Sequence, residues 1–201
     1  MQSMQGEAHK RYTYADFMKW DDGNRYELVD GMLYMDGQVF AGIPGRTTMM
    51  APPPSRRHQA ISGEIHNQLY NFLKGKPCDV YAAPFGVRLN AKNRDDSVLQ
   101  PDIVVVCDRA KLDDRGCNGA PDMVIEILSP ATSRHDRIVK FNKYLQAGVR
   151  EYWIVDPMDR AVSVHVLKNG EYVTSGYGDS GQVAAHVLDG FHLSLPDVFA
   201  E

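Results

Sequence analysis

The length, composition and charge of the chain restrict the class of protein that it can be. It has 201 residues, of which 43% are hydrophobic and 24% charged, and these values suit one soluble globular domain. We predict that the domain spans 11–201, behind an extended or disordered segment at 1–10. No apolar run approaches the roughly 20 residues that cross a bilayer, and the polar first residues lack the apolar stretch of a signal peptide. The sequence therefore argues against a membrane protein and predicts a cytoplasmic one.

The cysteines indicate neither a disulfide framework nor a zinc site. Cys78, Cys107 and Cys117 are odd in number and show no CxxC spacing. We expect all three to be reduced thiols, with Cys107 in the core because it ends an apolar run.

The first third of the chain predicts a short helix, a hairpin and a longer helix. Thr13 can cap a helix within 12–20, and the Asp30-Gly31 pair predicts the turn of a hairpin within 25–37. Glu27 and Asp30 are then most simply surface residues of that hairpin. A proline-rich loop is expected at 40–57. Apolar residues at three- and four-residue steps predict an amphipathic helix over 55–73.

The middle of the chain predicts buried strands followed by a helix. A hairpin or a strand bent at Pro84 is expected over 79–90, and continuous apolar runs at 101–107 and 121–128 suit strands buried on both faces of a sheet. A helix is predicted over 133–148, with Gly148 as its stop. Its expected buried stripe comprises Ile138, Phe141, Tyr144 and Leu145.

The last part of the chain completes a mixed sheet. A strand is predicted at 151–157, then a hairpin that turns at Asn169-Gly170, then a closing strand and a short terminal helix. The fold class expected from this order is α/β (or α+β), with a mixed central sheet flanked by helices and an N-terminal helix-hairpin extension.

One carboxylate stands out within these predicted strands. Glu126 interrupts the apolar run PDMVIEIL between Ile125 and Ile127. Burying it is costly unless it finds a cation, a proton or hydrogen bonds. The simpler alternative is that Glu126 lies on a solvated face of the strand.

The following helix carries a regularly spaced polar set. Asp136, Lys140 and Tyr144 recur every four residues and therefore share one helical face. An ion pair beside a core tyrosine would explain this spacing. A helix that begins directly after the Glu126 strand can also lay Lys140 over the carboxylates of that strand, which favours a functional role.

Several segments resemble a known family. The runs PDIVVVCDR and GAPDMVIEILSPATSRHDRIVKFNKYLQAGVREYWIVDP, with YTYADF, RYELVDGMLYM and MAPPPSRRHQAISGEI before them, are similar to the Uma-two family of restriction endonucleases. This family is a branch of the PD-(D/E)XK nuclease superfamily. The resemblance covers about residues 11 to 199 and implies a restriction-endonuclease-like core.

The resemblance also implies a catalytic set. Asp102 matches the strand aspartate and Glu126 the second acid of the superfamily. The usual lysine lies two residues after that acid, where this sequence has Leu128, so Lys140 of the next helix is the lysine that matches. Further roles that the resemblance and the spacing suggest are a third metal ligand at Glu64 and supporting contacts at Gln100, Asp136 and Tyr144. Carboxylate oxygens such as these suit Mg²⁺ or Mn²⁺.

The implied activity is that of a metal-dependent endonuclease that hydrolyses DNA, working by analogy as a homodimer. The net charge of −4 weighs against DNA binding, so a basic groove would have to be local. The candidate residues for that groove are Arg56, Arg57, His58, Arg134, Arg137 and Lys143. The alternative function is a nucleic-acid-binding or regulatory protein that keeps the fold but cleaves little or nothing, which the departure at Leu128 favours.

Overall fold

The strands within residues 10–45 and 53–200 form two large sheets and one small one. The computed structural model describes residues 10–45 and 53–200. Most of the segment 1–10, which is predicted to be extended or disordered, lies outside the described residues, and so does the part of the predicted loop at 46–52. The strands are β1 (Tyr26–Val29), β2 (Met32–Met35), β3 (Gln38–Val39), β4 (Asp79–Ala82), β5 (Gly86–Arg88), β6 (Val98–Leu99), β7 (Ile103–Val106), β8 (Leu112–Asp113), β9 (Gly116–Asn118), β10 (Met123–Ile127), β11 (Glu151–Asp156), β12 (Ala161–Lys168), β13 (Glu171–Tyr177), β14 (Gln182–Ala184) and β15 (His192–Ser194). The α-helices are α1 (Tyr14–Phe17), α2 (Arg56–Leu73), α3 (Phe141–Ala147) and α4 (Leu195–Val198).

The central sheet has six strands in the order β13-β12-β11-β10-β7-β4. β10 and β11 are parallel, and the other neighbours are antiparallel, so the sheet is mixed as predicted. The parallel pair requires a crossover connection. The helix that begins after β10 supplies this connection, as the sequence predicts.

The predicted N-terminal hairpin is part of a second sheet. β1 and β2 turn at Asp30-Gly31, where both residues have positive φ, as a two-residue hairpin turn requires. β1 also pairs with β6 through Leu28 and Val98. This pairing places the hairpin in a seven-stranded sheet, with the order β3-β2-β1-β6-β5-β9-β8. The hairpin is therefore built into the fold, whereas the sequence suggested an extension.

Helix α2 covers one face of the central sheet. Ser55 caps it by accepting a hydrogen bond from the N–H of His58. Four apolar side chains at four-residue steps form its buried stripe: Ile61, Ile65, Leu69 and Leu73. This stripe packs against the alternate side chains of β10 and β7 that point to the same face, such as Ile125 and Ile103.

The opposite face of the central sheet is covered by the helix over 133–147 and by residues of the second sheet. The first part of this helix, His135–Lys140, is a π-helical segment, and Phe141 donates its N–H to the carbonyl of Asp136, five residues earlier. The wider turn buries His135, Asp136 and Lys140 together.

The predicted apolar stripe of this helix is only partly correct. Tyr144 is fully buried, but the side chain of Ile138 is 52% exposed. The π-helical segment turns the polar residues inward and Ile138 outward, whereas the prediction assumed a regular α-helix.

A disulfide corrects the prediction of three reduced cysteines. Asp79 of β4 pairs with Val106 of β7, so Cys78 and Cys107 lie just outside that register and are joined by a disulfide. Cys117 is free and buried. Two cysteines separated by 29 residues can be brought together by strand pairing alone, which spacing patterns do not show.

The C-terminal part closes the core. β14 and β15 form a small antiparallel sheet, and α4 contributes Leu195 and Val198 to the apolar cluster beneath α2, which confirms the predicted closing strand and terminal helix. Within 10–45 and 53–200, no helix combines the length and apolar character needed to span a bilayer.

Candidate active site

Two acidic residues meet on one face of the central sheet. β10 and β7 pair with Ile125 opposite Ile103, and continuing this antiparallel register by one residue sets Glu126 opposite Asp102. Directly opposed residues project to the same face. The Oδ2 of Asp102 accepts a hydrogen bond from the N–H of Ile127 at 2.7 Å, which ties Asp102 to the end of β10. The structure therefore brings together the two acids that the sequence singled out.

Lys140 reaches these strands from the helix that follows β10, as predicted, although this part of the helix is π-helical. Its Nζ lies 2.9 Å from Oε1 of Glu126 and 3.4 Å from Oδ1 of Asp136. The hydroxyl of Tyr144 donates to the same Glu126 oxygen at 2.9 Å. The solvated alternative for Glu126 is excluded, because the residue is only 3% exposed.

Glu27 is a member of the cluster that the sequence interpretation missed. Its Oε1 lies 2.9 Å from Nζ of Lys140, and its Oε2 lies 3.3 Å from Nε2 of His135. Gln100, predicted as a supporting residue, donates its backbone N–H to Glu27 at 2.9 Å. The sequence predicts a hairpin with one solvated face, on which Glu27 would be exposed. In the structure Glu27 instead contacts Lys140 and His135, so the interpretation as a surface residue is wrong. The segment RYELVDGMLYM, which also carries the family resemblance, was the signal that could have identified it.

The cluster holds more carboxylates than one lysine can balance. Burial raises the pKa of Glu126 well above its ordinary value, and the charges of Asp136, Asp102 and Glu27 raise it further. Burial also raises the pKa of Asp136. Burial opposes the charge of Lys140, yet the surrounding carboxylates raise its pKa well above the ordinary value, so the ammonium group stays protonated at neutral pH. A further cation at this place would stabilise the ionised form of these carboxylates and so lower their pKa values.

His58 adds a second contact to Asp102. Its Nε2 lies 3.3 Å from Oδ2 of Asp102. Burial lowers the pKa of His58, but the hydrogen bond and the charge of Asp102 raise it, and the net shift is upward. The sequence predicts His58 as a residue of a DNA-binding groove, and the structure places it beside Asp102.

Glu64 does not join the cluster. Its Oε1 accepts a hydrogen bond from Gln68 at 2.9 Å, and Gln68 in turn bonds the backbone of Ser194 at the C-terminal end of the fold. His58 and Glu64 are six residues apart on α2, a spacing that sets them on different sides of a helix. Glu64 therefore does not lie where it could join Asp102 and Glu126 as a metal ligand, and the prediction of this role is wrong.

The predicted DNA-contacting cations are only partly available. Arg137 pairs with Asp156 at 2.8 Å, and Lys143 pairs with Asp30 at 2.6 Å. Of the predicted groove residues, Arg56, Arg57 and Arg134 make no ion pair with another described residue.

The arrangement of sheets and helices matches the fold of a solved structure. A crystal structure of an Anabaena variabilis protein described as a "putative nuclease" matches with a TM-score of 0.70 at 22% sequence identity, covering 94% of this chain and 98% of that one. The similarity shows that the two proteins share a nuclease-like α+β fold.

The sequence comparisons then identify the family. An uncharacterised protein of Synechocystis sp. is 24% identical over 171 residues, which cover 84% of this chain and 81% of that protein. The model of the Uma2 family, described as "Putative restriction endonuclease", matches residues 14–196. The chain belongs to this family, which confirms the resemblance drawn from its motifs.

Proposed function

We propose that this chain is a metal-dependent endonuclease that hydrolyses phosphodiester bonds of DNA. The observation that carries the proposal is the cluster of Asp102, Glu126 and Lys140, in which partly buried Asp102 lies opposite buried Glu126 and Lys140 lies 2.9 Å from Glu126. Membership of a restriction-endonuclease family and the description of the Anabaena variabilis relative support it.

The carboxylates have the right chemistry to hold Mg²⁺ or Mn²⁺. Asp102 uses Oδ2 for Ile127 and His58, and Glu126 uses Oε1 for Lys140 and Tyr144, so within the described residues Oδ1 and Oε2 remain without a hydrogen bond. No group of three or more acidic, histidine or cysteine side chains among the described residues could hold a metal ion. Mg²⁺ needs no such group, because it retains several waters and binds through one or two carboxylates plus substrate phosphate.

The residues around the proposed metal site would then have different roles in hydrolysis. A bound divalent cation would act as a Lewis acid on the phosphate and lower the pKa of a coordinated water. Lys140 stays protonated, so it offsets the negative charge of the transition state and does not accept a proton. Glu27 and Asp136 hold its ammonium group beside Glu126, and Tyr144 fixes the Glu126 oxygen.

The second candidate is a nucleic-acid-binding protein with little or no cleavage. Lys140 lies within ion-pairing distance of Glu27, Glu126 and Asp136, which balance its charge before any phosphate arrives. This observation favours a protein that binds DNA without cutting it efficiently.

Nicking of supercoiled plasmid separates the two candidates. With Mg²⁺ or Mn²⁺ the wild type should nick the plasmid, and EDTA should stop the reaction. Asp102→Asn and Lys140→Ala should each lower the rate by about 100-fold or more, the cost typical of losing one electrostatic stabiliser. Asp113→Asn is the matched control, because Asp113 is exposed and contacts Asn118 at a distance from the cluster. Metal-dependent DNA binding without nicking would select the second candidate.

Two further features belong to the proposal. A two-fold homodimer would match the related geometry of the two strands of duplex DNA, and sedimentation equilibrium would measure it. A cytoplasmic location is proposed on the sequence alone, and subcellular fractionation would test it.

A further inference from the structure

A cavity of about 230 Å³ opens beside the carboxylate of Asp102. It lies between the N-terminal half of α2 and the end of β4, where Ala82 and Ala83 form its wall. The cavity is therefore next to the proposed metal ligand, and it lies outside the cluster around Lys140.

One face of α2 is turned toward this cavity. His58, Ser62 and His66 recur every four residues and line it, while Ile61 and Ile65 of the same helix are buried against the sheet. A helix that only covered a sheet would need solvated side chains on its outer face. On α2 the hydrogen-bonding side chains instead line a cavity that Asp102 also lines.

Every polar side chain of the lining except that of Asp102 can donate a hydrogen bond. Besides His58, Ser62 and His66 the lining includes Gln59 of the same helix and Arg25, and Asp102 is its single acid among the described residues. Arg25 makes no ion pair with another described residue, although its charge reaches Asp36. This lining is complementary to an anion, in contrast to the acidic cluster on the other side of Asp102.

The cavity also has open space. Gly63 lines it, and a Cβ atom added there would meet no heavy atom within 4 Å. Together with Ala82 and Ala83, Gly63 therefore leaves a gap in the cavity lining beside α2.

We propose that this cavity binds a backbone phosphate of the DNA strand, next to the phosphodiester bond that is cleaved. Arg25, Ser62 and His66 donate to the phosphate oxygens, and the contact positions the strand without reading its sequence. The proposal rests on the proposed nuclease function and adds to it the path of the substrate strand along α2.

Filling the cavity tests the proposal. Gly63→Met places a side chain in the gap and replaces glycine by a better helix former, so the melting temperature should stay the same or rise. The affinity for a labelled duplex, measured by fluorescence anisotropy with Ca²⁺ in place of Mg²⁺, should fall roughly ten- to hundredfold, the effect of losing a charge-assisted hydrogen bond. Ala60→Met is the matched control, because Ala60 is exposed on α2 and does not line the cavity.

Removing the cation tests the chemical class of the ligand. Arg25→Ala should weaken binding to duplexes of different sequence by a similar factor. It should also reduce the slope of log Kd against log salt by about 0.9, the value for one phosphate contact on duplex DNA. Lys168→Ala, at the exposed end of β12, should leave the slope unchanged.

The outcomes separate this proposal from the nuclease function. If the wild type nicks or binds DNA while Gly63→Met binds as tightly as wild type, the cavity proposal is overturned and the nuclease proposal stands. If Arg25→Ala weakens binding for one sequence only and keeps the wild-type slope, the cavity takes a base and the phosphate assignment is wrong. A wild type that neither binds nor cuts DNA overturns both proposals.

Discussion

Lys140 is the residue on which the candidate site is organised. It is buried, and its ammonium group lies within 3.4 Å of carboxylate oxygens from Glu126, Glu27 and Asp136. Removing one partner of a buried ion pair is strongly destabilising, because a charge is left without compensation. The burial of Lys140 is therefore possible only because three segments of the chain supply acids to it.

Glu27 gives a direct test of this arrangement. Glu27→Gln keeps the shape of the side chain and removes its charge, so Lys140 should be held less firmly beside Glu126. We expect slower plasmid nicking and a free energy of unfolding lower by about 1.5–3 kcal/mol, the contribution typical of a hydrogen bond to a charged group. Plasmid nicking and urea denaturation measure the two effects.

The matched control for this substitution is Glu171→Gln, because Glu171 is exposed at the start of β13. It should leave both the nicking rate and the urea midpoint unchanged. If Glu27→Gln behaved like Glu171→Gln, the ion pair between Glu27 and Lys140 would have no functional role.

The helix after β10 was predicted only in part. Its four-residue spacing of polar residues predicted which side chains join the site, but it did not predict the conformation of the helix. Asp136, Lys140 and Tyr144 share one inward face, as their four-residue spacing indicates. The π-helical segment was not predictable, because its wider turn is stabilised by tertiary contacts such as the hydrogen bond from the Tyr152 hydroxyl to the Asp136 carbonyl at 3.1 Å. A regular spacing of residues predicts a helix with one repeat, and it gives no sign of a change from an α-helical to a π-helical turn.

The pairing of β12 with β13 carries a pH-dependent contribution to stability. His165 lies opposite Thr174, and its Nδ1 is 2.7 Å from the Thr174 hydroxyl oxygen. Burial, and then the charge of Arg137, lower the pKa of His165 to about 4. The unfolded chain takes up this proton near pH 6.5, whereas the folded chain takes it up only near pH 4. The free energy of unfolding should therefore fall as the pH drops from 6.5 to 4.

The variant His165→Phe isolates the contribution of His165 to the pH dependence of the free energy of unfolding. His165→Phe removes the titrating group within an aromatic cluster, so the wild type should lose up to about 3 kcal/mol more than the variant between pH 6.5 and pH 4. Urea denaturation at a series of pH values measures the difference. His192→Phe, at an exposed position, should show the pH dependence of the wild type. Parallel curves for wild type and His165→Phe would show that His165 is not held neutral by the fold.

At the scale of the whole molecule, local patterns predicted the central sheet but not the second one. Apolar runs identify β7, β10 and β11 as buried strands, and the Asp30-Gly31 and Asn169-Gly170 pairs locate two hairpin turns. The second sheet depends on the pairing of Leu28 with Val98, residues that are 70 positions apart. No local sequence pattern indicates such a pairing. Without this pairing, Glu27 is predicted to be a surface residue.

The disulfide is a second long-range feature, and it predicts a stability effect. Cys78→Ser combined with Cys107→Ser should lower the free energy of unfolding by about 2–4 kcal/mol, because the disulfide restricts the unfolded chain. Urea denaturation measures the change, and dithiothreitol should destabilise the wild type but not the double variant. Equal urea midpoints for wild type and double variant, or two free thiols at these positions in mass spectrometry, would contradict the assignment.

We propose that Asp102 and Glu126 together bind one divalent cation next to Lys140. Anomalous scattering from wild-type crystals soaked in Mn²⁺ would show whether an ion binds there. We expect one strong peak coordinated by carboxylate oxygens of both residues, and its loss in Asp102→Asn crystals soaked in the same way. Well-ordered crystals with both carboxylates free of Mn²⁺, or with the ion bound elsewhere, would rule out this metal site.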